Sequence, residues 1–288
     1  MIAFVCSLFL FSTIVLISLR FTIFNEEFMI SQAKRADYYR LITDEINTEI
    51  EDLGLGSGIS LGTLSDVVSV ALVEKNFNSY IHGIYSDGEF VLEGEEEIKD
   101  RVVDTIFLYA RDNAIEIDDE SESAIRELGE MAAEYFSQYI ELPLLSAYAQ
   151  KAVQFASTLN ILLILSIICF LGFSVSLIVV LKSWMHRLFR YMSYAFGGAG
   201  VMTATFPGFI YIRNIVEKIG VGSKGLYLFL TSYFNNFLLC FIFLGSVSIL
   251  ISVLCAVICE NKRKRDLLAL DRPRRIYWWT EEEQYFYF

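Results

Sequence analysis

Four stretches of this chain, about 2–19, 161–181, 191–212 and 226–259, hold no charged residue over roughly 18 to 34 positions. A helix rises ~1.5 Å per residue and the hydrocarbon core of a bilayer is ~30 Å thick, so each stretch can cross it. The reading is an all-α membrane protein with four helical spans. The one large polar region, about 25–150, lies between the first two. It is expected to be an extracytoplasmic acidic helical bundle inserted between spans 1 and 2. The expected organisation is a first span within 1–24, the acidic region 25–150, and three spans within 151–259 (about 156–181, 191–212 and 226–259). A basic and aromatic tail, 260–288, completes it.

Charge sets the expected orientation. The 288 residues are 55% hydrophobic with mean hydropathy +0.46, above a typical soluble domain. The formal net charge of −12 conceals an asymmetry: residues 25–150 carry 28 acidic and 8 basic side chains. The rest is net positive. Lys182, Arg187 and Arg190 sit between the second and third apolar runs. Lys262, Arg263, Lys264 and Arg265 follow the fourth, with Arg272, Arg274 and Arg275 beyond. Basic loops stay in the cytoplasm, and both clusters share a side if all four runs cross. Both termini are then cytoplasmic and the acidic region lies outside. Arg213, Lys218 and Lys224, in the outer link, weaken this asymmetry without reversing it.

The first run has no basic segment before it and no A-x-A-like site after it, so it is expected to remain as an anchor. Cys6, Cys169, Cys240, Cys255 and Cys259 all lie in or beside apolar runs. The acidic region has no cysteine and no glycosylation sequon, which favours a bacterial plasma membrane, Gram-positive above others.

Within the acidic region, Tyr39, Ile42, Ile46, Ile50 and Leu53 recur at helical spacing. They predict one helix over 25–53, continuous with the first span and ended by the glycines of Gly54–Gly58. Thr63 and Asp66 read as the start of a second helix, about 63–82, burying Leu64, Val67, Val68, Ala71 and Phe77. Asp87-Gly88 suggests a hairpin turn between Ile84-Tyr85 and Phe90–Leu92. A third helix spans about 95–114. A fourth opens at Asp118, with Ile125, Leu128, Ala132, Tyr135 and Tyr139 on one face, and Pro143 interrupts it before the second span. The four are expected to pack as an antiparallel bundle.

The cores of the apolar runs contain no ionisable residue. In the third, Ser193, Gly197, Gly200, Ala204 and Gly208 form a small-residue face. Packing within the four-helix set is preferred there over a homo-oligomer, and Pro207 is expected to kink the helix. Asn235 and Asn236 are assigned to an interhelical hydrogen bond. At 34 residues the fourth run exceeds what a bilayer needs, which puts Tyr227 and Tyr233 at headgroup level.

Known catalytic patterns fail on inspection. Around Ser57 the flanking positions of a nucleophile elbow hold Leu55 and Ile59, and Ile59 also replaces the third glycine of a dinucleotide fingerprint. Glu93–Glu97 and Asp118–Glu122 lack calcium-loop spacing and read as solvated helix starts. His82 and His186, the only histidines, fall on opposite sides of the membrane in this topology. No metal, cofactor or nucleic-acid partner is expected. The cations Lys262, Arg263, Lys264, Arg265, Arg274 and Arg275, with Trp278 and Trp279, are expected to lie on an anionic inner leaflet. The first functional expectation is a non-enzymatic sensor, adaptor or scaffold whose outer region binds a ligand or envelope protein. A channel former or transporter accessory subunit is the alternative, and a membrane-embedded enzyme the third.

Overall fold

The computed structural model describes residues 1–86, 90–182 and 185–270. Its helices are α1 (Ile2–Phe21), α2 (Glu26–Arg35), α3 (Tyr38–Gly56), α4 (Val70–Ser86), α5 (Glu95–Asp112), α6 (Asp119–Ile140), α7 (Pro143–Leu181), α8 (Met185–Ile212) and α9 (Lys224–Leu270). A 3-10 turn, Val216–Lys218, precedes α9, and no strand occurs among the described residues. Four segments are long and apolar enough to cross a membrane: Ile2–Phe21, Phe155–Leu181, Met185–Ile212 and Lys224–Arg265. Their large side chains, Ile161, Val179, Phe206 and Phe243 among them, stand exposed, as suits a multi-pass protein whose solvent there is lipid.

Polar contacts fix the relative directions of these helices. Cys6 Sγ lies 3.4 Å from Ser174 Oγ and Thr13 Oγ1 lies 2.8 Å from Ser166 Oγ, so α1 and α7 are antiparallel. Ser252 Oγ donates to Ser193 O (2.8 Å) and Cys259 Sγ to His186 O (3.0 Å), so α8 and α9 are antiparallel too. Lys182 and Arg190 therefore share one end of the four-helix set with Lys262–Arg265. Helices α2–α6 pack at the other.

The small residues of α8 explain how closely α9 approaches. A Cβ on Gly200 would meet Gly245 O and Ile249 Cγ1, each at 2.7 Å, and one on Gly197 would meet Ser252 Oγ at 2.9 Å. A Cβ on Gly245 would in turn meet Ala204 Cβ at 3.0 Å. Gly208 faces open space, beyond this contact. The helix continues through the buried Pro207 to Ile212.

Helices α2–α6 surround one apolar core. Ile42, Ile46 and Ile50 of α3 enter it with Phe77 and Ile81 of α4, Val102 of α5, and Ala132 and Phe136 of α6. Five helices stand where the periodicity suggested four. The expected continuous helix over 25–53 is interrupted twice. Past α1, the Asn25 side chain accepts from Glu27 N (3.0 Å) and caps α2. Asp37 then adopts a left-handed backbone (φ 54°), which its short polar side chain tolerates, and α3 begins in a new direction.

The second helix starts at Val70 rather than Thr63. Leu64, Val67 and Val68 are buried, but from an irregular turn. The buried Asn47 amide accepts from Val68 N (2.8 Å) and donates to Val68 O (2.9 Å), while Arg101 Nη1 donates to Val67 O (2.8 Å). These side chains satisfy the backbone groups that a helix would have paired internally. Ile84 and Tyr85 belong to α4 and not to a hairpin strand, and Asp87-Gly88 lies outside the described residues. Asp118 caps α6 by accepting from Ser121 N (2.9 Å), and the chain breaks at Glu141-Leu142 before Pro143 opens α7.

One more element completes the core. Phe229 and Tyr233, from the first turns of α9, are buried in it, with Leu226 and Leu230 packed alongside. Phe229→Ala should therefore cost ~3–5 kcal/mol of α2–α6 stability, although Phe229 lies in an apolar run. Thermal unfolding in detergent measures this, and a lipid-exposed position would show almost no loss. Gly200→Val should separate α8 from α9, which loss of a disulfide engineered between positions 193 and 252 would report.

Candidate functional site at the junction of α2–α6 and the apolar helices

The junction begins where α9 starts. Ser223 Oγ accepts from Leu226 N (3.0 Å), and Glu45 Oε1 of α3 accepts from Gly225 N (2.7 Å). A carboxylate at a helix N-terminus meets unpaired N–H groups and the positive end of the macrodipole. Gly225 favours this approach: a Cβ there would sit 3.0 Å from Ile42 Cδ1, which would have to give by a few tenths of an ångström. One turn later Phe229 enters an aromatic cluster, its ring centroid 5.0 Å from Tyr38 and 5.9 Å from Phe77. Tyr233 follows, 5.5 Å from Phe28 of α2 in an edge-on arrangement. Offset and edge-on ring pairs add attraction beyond area burial and fix relative orientation.

A polar knot lies one turn beyond the rings. Asn236 Nδ2 donates to Oε1 of the buried Gln32 (2.7 Å) and to Ser232 O (2.9 Å). The hydrogen bond expected of the asparagine pair thus runs to α2, not to another apolar helix. Asn235 is half-buried beside it. Tyr233 is buried in the core, where the first turns of α9 pack on α2–α4. Tyr227 Oη donates to Glu217 O (3.1 Å) in the preceding link.

Helix α4 holds the two remaining connections. Tyr85 Oη donates to Ile23 O (2.7 Å), between α1 and α2, and Tyr80 Oη donates to Leu142 O (2.9 Å), between α6 and α7. His82 Nδ1 lies 3.1 Å from Glu26 Oε1 in the first turn of α2. Three of the four apolar helices, α1, α7 and α9, are thereby tied to one small region. Burial, and next the charge of Glu26, push the Tyr85 hydroxyl up to about 12. Burial raises Tyr38 and Tyr39 too, helped by Glu45 and Glu74 respectively. Tyr38 Oη is buried without a hydrogen-bond partner, an omission that costs ~1–3 kcal/mol and that the surrounding rings offset.

The other anticipated positions fall elsewhere. Lys262 Nζ lies 4.9 Å from the centroid of the Phe189 ring, a cation–π contact joining the basic ends of α8 and α9. Arg263 and Lys264 reach Glu260 at 3.6 and 3.9 Å, and Arg265 is exposed. Arg274, Arg275, Trp278 and Trp279 lie outside the described residues. Among the described residues no three His, Cys, Asp or Glu side chains are grouped to hold a metal. Gln32, Glu45, Tyr80, Tyr85 and Phe229 carry the junction and belong to no motif. The sole sequence signal for them is the excess length of the fourth apolar run.

The chain matches no known protein family, no curated protein and no solved structure.

The junction tyrosines generate a pH dependence. Tyr85 holds its proton more tightly folded than unfolded, so its contribution is intact below its ordinary value of 10.0 and is lost as pH rises toward about 12. Alkaline titration should show a late-ionising class of tyrosines whose absorbance change coincides with loss of helicity. Ionisation of all 16 tyrosines as one class near pH 10, with helicity unchanged, would contradict the junction described.

Proposed function

We propose that this protein is a non-enzymatic binding protein of a plasma membrane. The four apolar helices cross the bilayer, the basic ends face the cytoplasm, and α2–α6 stand outside to bind a ligand or envelope partner. Two features support the reading. The α2–α6 region is acidic and large enough for a recognition surface, and the apolar runs hold no charged residue.

The observation that carries it is the shared core. With Phe229 and Tyr233 inside the α2–α6 packing, and Tyr80 and Tyr85 bonded to the chain beside α7 and α1, a partner that displaces α3 or α4 must also displace membrane helices. Binding outside is thus coupled to the arrangement of the spans, which suits a sensor or adaptor better than a passive anchor. Coupling of this kind needs packed elements with discrete arrangements, and close-packed aromatic cores supply them.

A cell-impermeant lysine-reactive cross-linker applied to intact bacterial cells expressing the full chain tests both parts. Lys34 and Lys75 of α2 and α4 should react while Lys262 and Lys264 are spared, and a distinct protein should be joined to the reactive region. Reaction at Lys262 and Lys264 with the α2–α4 lysines protected would reverse the topology. Correct sidedness with no joined protein would remove the envelope-partner reading.

A further inference from the structure

The end of the α2–α6 region farthest from the apolar helices carries a groove of about 300 Å³. Its floor is Ile106 and Leu128, and its walls include Ile59, Ile115 and Ile125. Both Ile59 and Ile115 are set there by the same device. At the end of α3, Ile59 N donates to Gly54 O (2.9 Å) and Gly58 N to Leu55 O (3.1 Å). At the end of α5, Ile115 N donates to Ala110 O (2.9 Å) and Ala114 N to Arg111 O (3.2 Å). These are Schellman caps, which require a left-handed residue and throw the next side chain back across the helix end. Gly58 supplies that conformation without strain at φ 84°. Ala114 adopts it at φ 54°, where a side chain makes it unfavourable. The result is an isoleucine that stays 52% exposed at the mouth of an apolar groove.

The electrostatics of the rim are one-signed. The carboxyl ends of α3 and α5 both terminate here, and helix C-termini carry partial negative charge. The amino end of α6 would oppose them, but Asp118, Asp119 and Glu120 cover it. Glu116 lines the groove itself, and Asp112 is exposed just before it. The nearby cations are already engaged: Arg111 lies 4.0 Å from Asp112, and Arg126 Nη2 lies 2.8 Å from Glu122. An apolar slot between negative helix ends, with Glu116 on its lining and the acids of the first turn of α6 beside it, disfavours anionic partners and rewards cationic ones that also bring an apolar side chain.

We propose that this groove is the docking site for a cationic amphipathic polypeptide segment, with one or two aliphatic side chains on Ile106, Ile115 and Ile125 and flanking lysine or arginine on Glu116 and the α3 and α5 carboxyl ends. The proposal rests on the reading of α2–α6 as a binding region and names the partner class that region takes. The groove holds about two aliphatic side chains, so the recognised element is short. Distance favours such a partner too: Ser121, Ile125 and Leu128 of α6 set the groove ~20–30 Å along the helix from the start of α7, clear of the apolar helices.

The test uses the full chain in nanodiscs of zwitterionic lipid and the hexapeptide Lys-Lys-Leu-Leu-Lys-Lys with photo-leucine at its centre. Mass spectrometry should map its adducts to residues 106–125, and Ile115→Ser and Glu116→Lys should each lower the yield about tenfold. Ile115 and Glu116 are exposed, so folding is preserved, and Val91→Ser, at an exposed position in the segment that precedes α5, should leave the yield unchanged. Several outcomes overturn the proposal. Competition by Lys-Lys-Ser-Ser-Lys-Lys as strong as that of the leucine peptide would reduce the effect to bulk charge. Competition by Glu-Glu-Leu-Leu-Glu-Glu would remove the charge complementarity. Adducts spread over α2–α6 would deny a site, and a dimer dispersed by Ile115→Ser would assign the groove to a second copy. If the partner joined in intact cells is retained by both groove variants, the groove fails and the binding role stands; if the wild-type chain joins none, the envelope-partner reading fails by itself.

Discussion

The packing of Phe229 against the paired rings of Tyr38 and Phe77 is the contact on which the rest of this structure depends. Burying one phenylalanine is worth ~1.5–3 kcal/mol, but the larger effect is geometric. The ring sits on a helix that continues for 47 residues, so fixing one end fixes the direction of the whole rod. Glu45 on Gly225 and Gln32 on Asn236 secure the rod on either side of the rings, eleven residues apart, so that it neither slides nor rotates freely. Tyr38 accepts an unpaired hydroxyl for the sake of this packing.

The two parts of the molecule are packed differently. Among α2–α6 large side chains meet at helical spacing and bury apolar surface. Among α1, α7, α8 and α9, which are long and apolar enough to cross a membrane, much of the apolar surface stays exposed. Close approach and polar pairing hold them together. Gly200 against Gly245, Ser193 with Ser252 and Thr13 with Ser166 are those contacts. Helix α9 belongs to both regimes: its first turns pack by burial of rings, its middle by absence of side chains.

The small-residue face of α8 also bears on assembly. Gly197, Gly200 and Ala204 are occupied by α9 within the same chain, so they offer no free surface to a second copy. The features of α2–α6 left exposed are its acidic surface and the groove between the ends of α3 and α5.

The four apolar helices, the acidity of residues 25–150, and the positions of α5 and α6 were legible because each follows from a local rule: run length, charge count, helical spacing, or a capping aspartate. The breaks at Asp37 and at 59–69 were not. Asp37 is one of many aspartates in a helical pattern, and the turn before Val70 exists because Asn47 and Arg101, 21 and 34 residues away from the groups they bind, satisfy its backbone. The junction was hidden for the same reason: Gln32 and Asn236 are 204 residues apart, and no local pattern couples them. The sequence by itself determined which segments are long and apolar enough to cross a membrane and which are polar, since that depends on composition over a single stretch. Only the tertiary structure decided that the fourth apolar run belongs partly to the α2–α6 core, because burial there depends on which distant side chains meet.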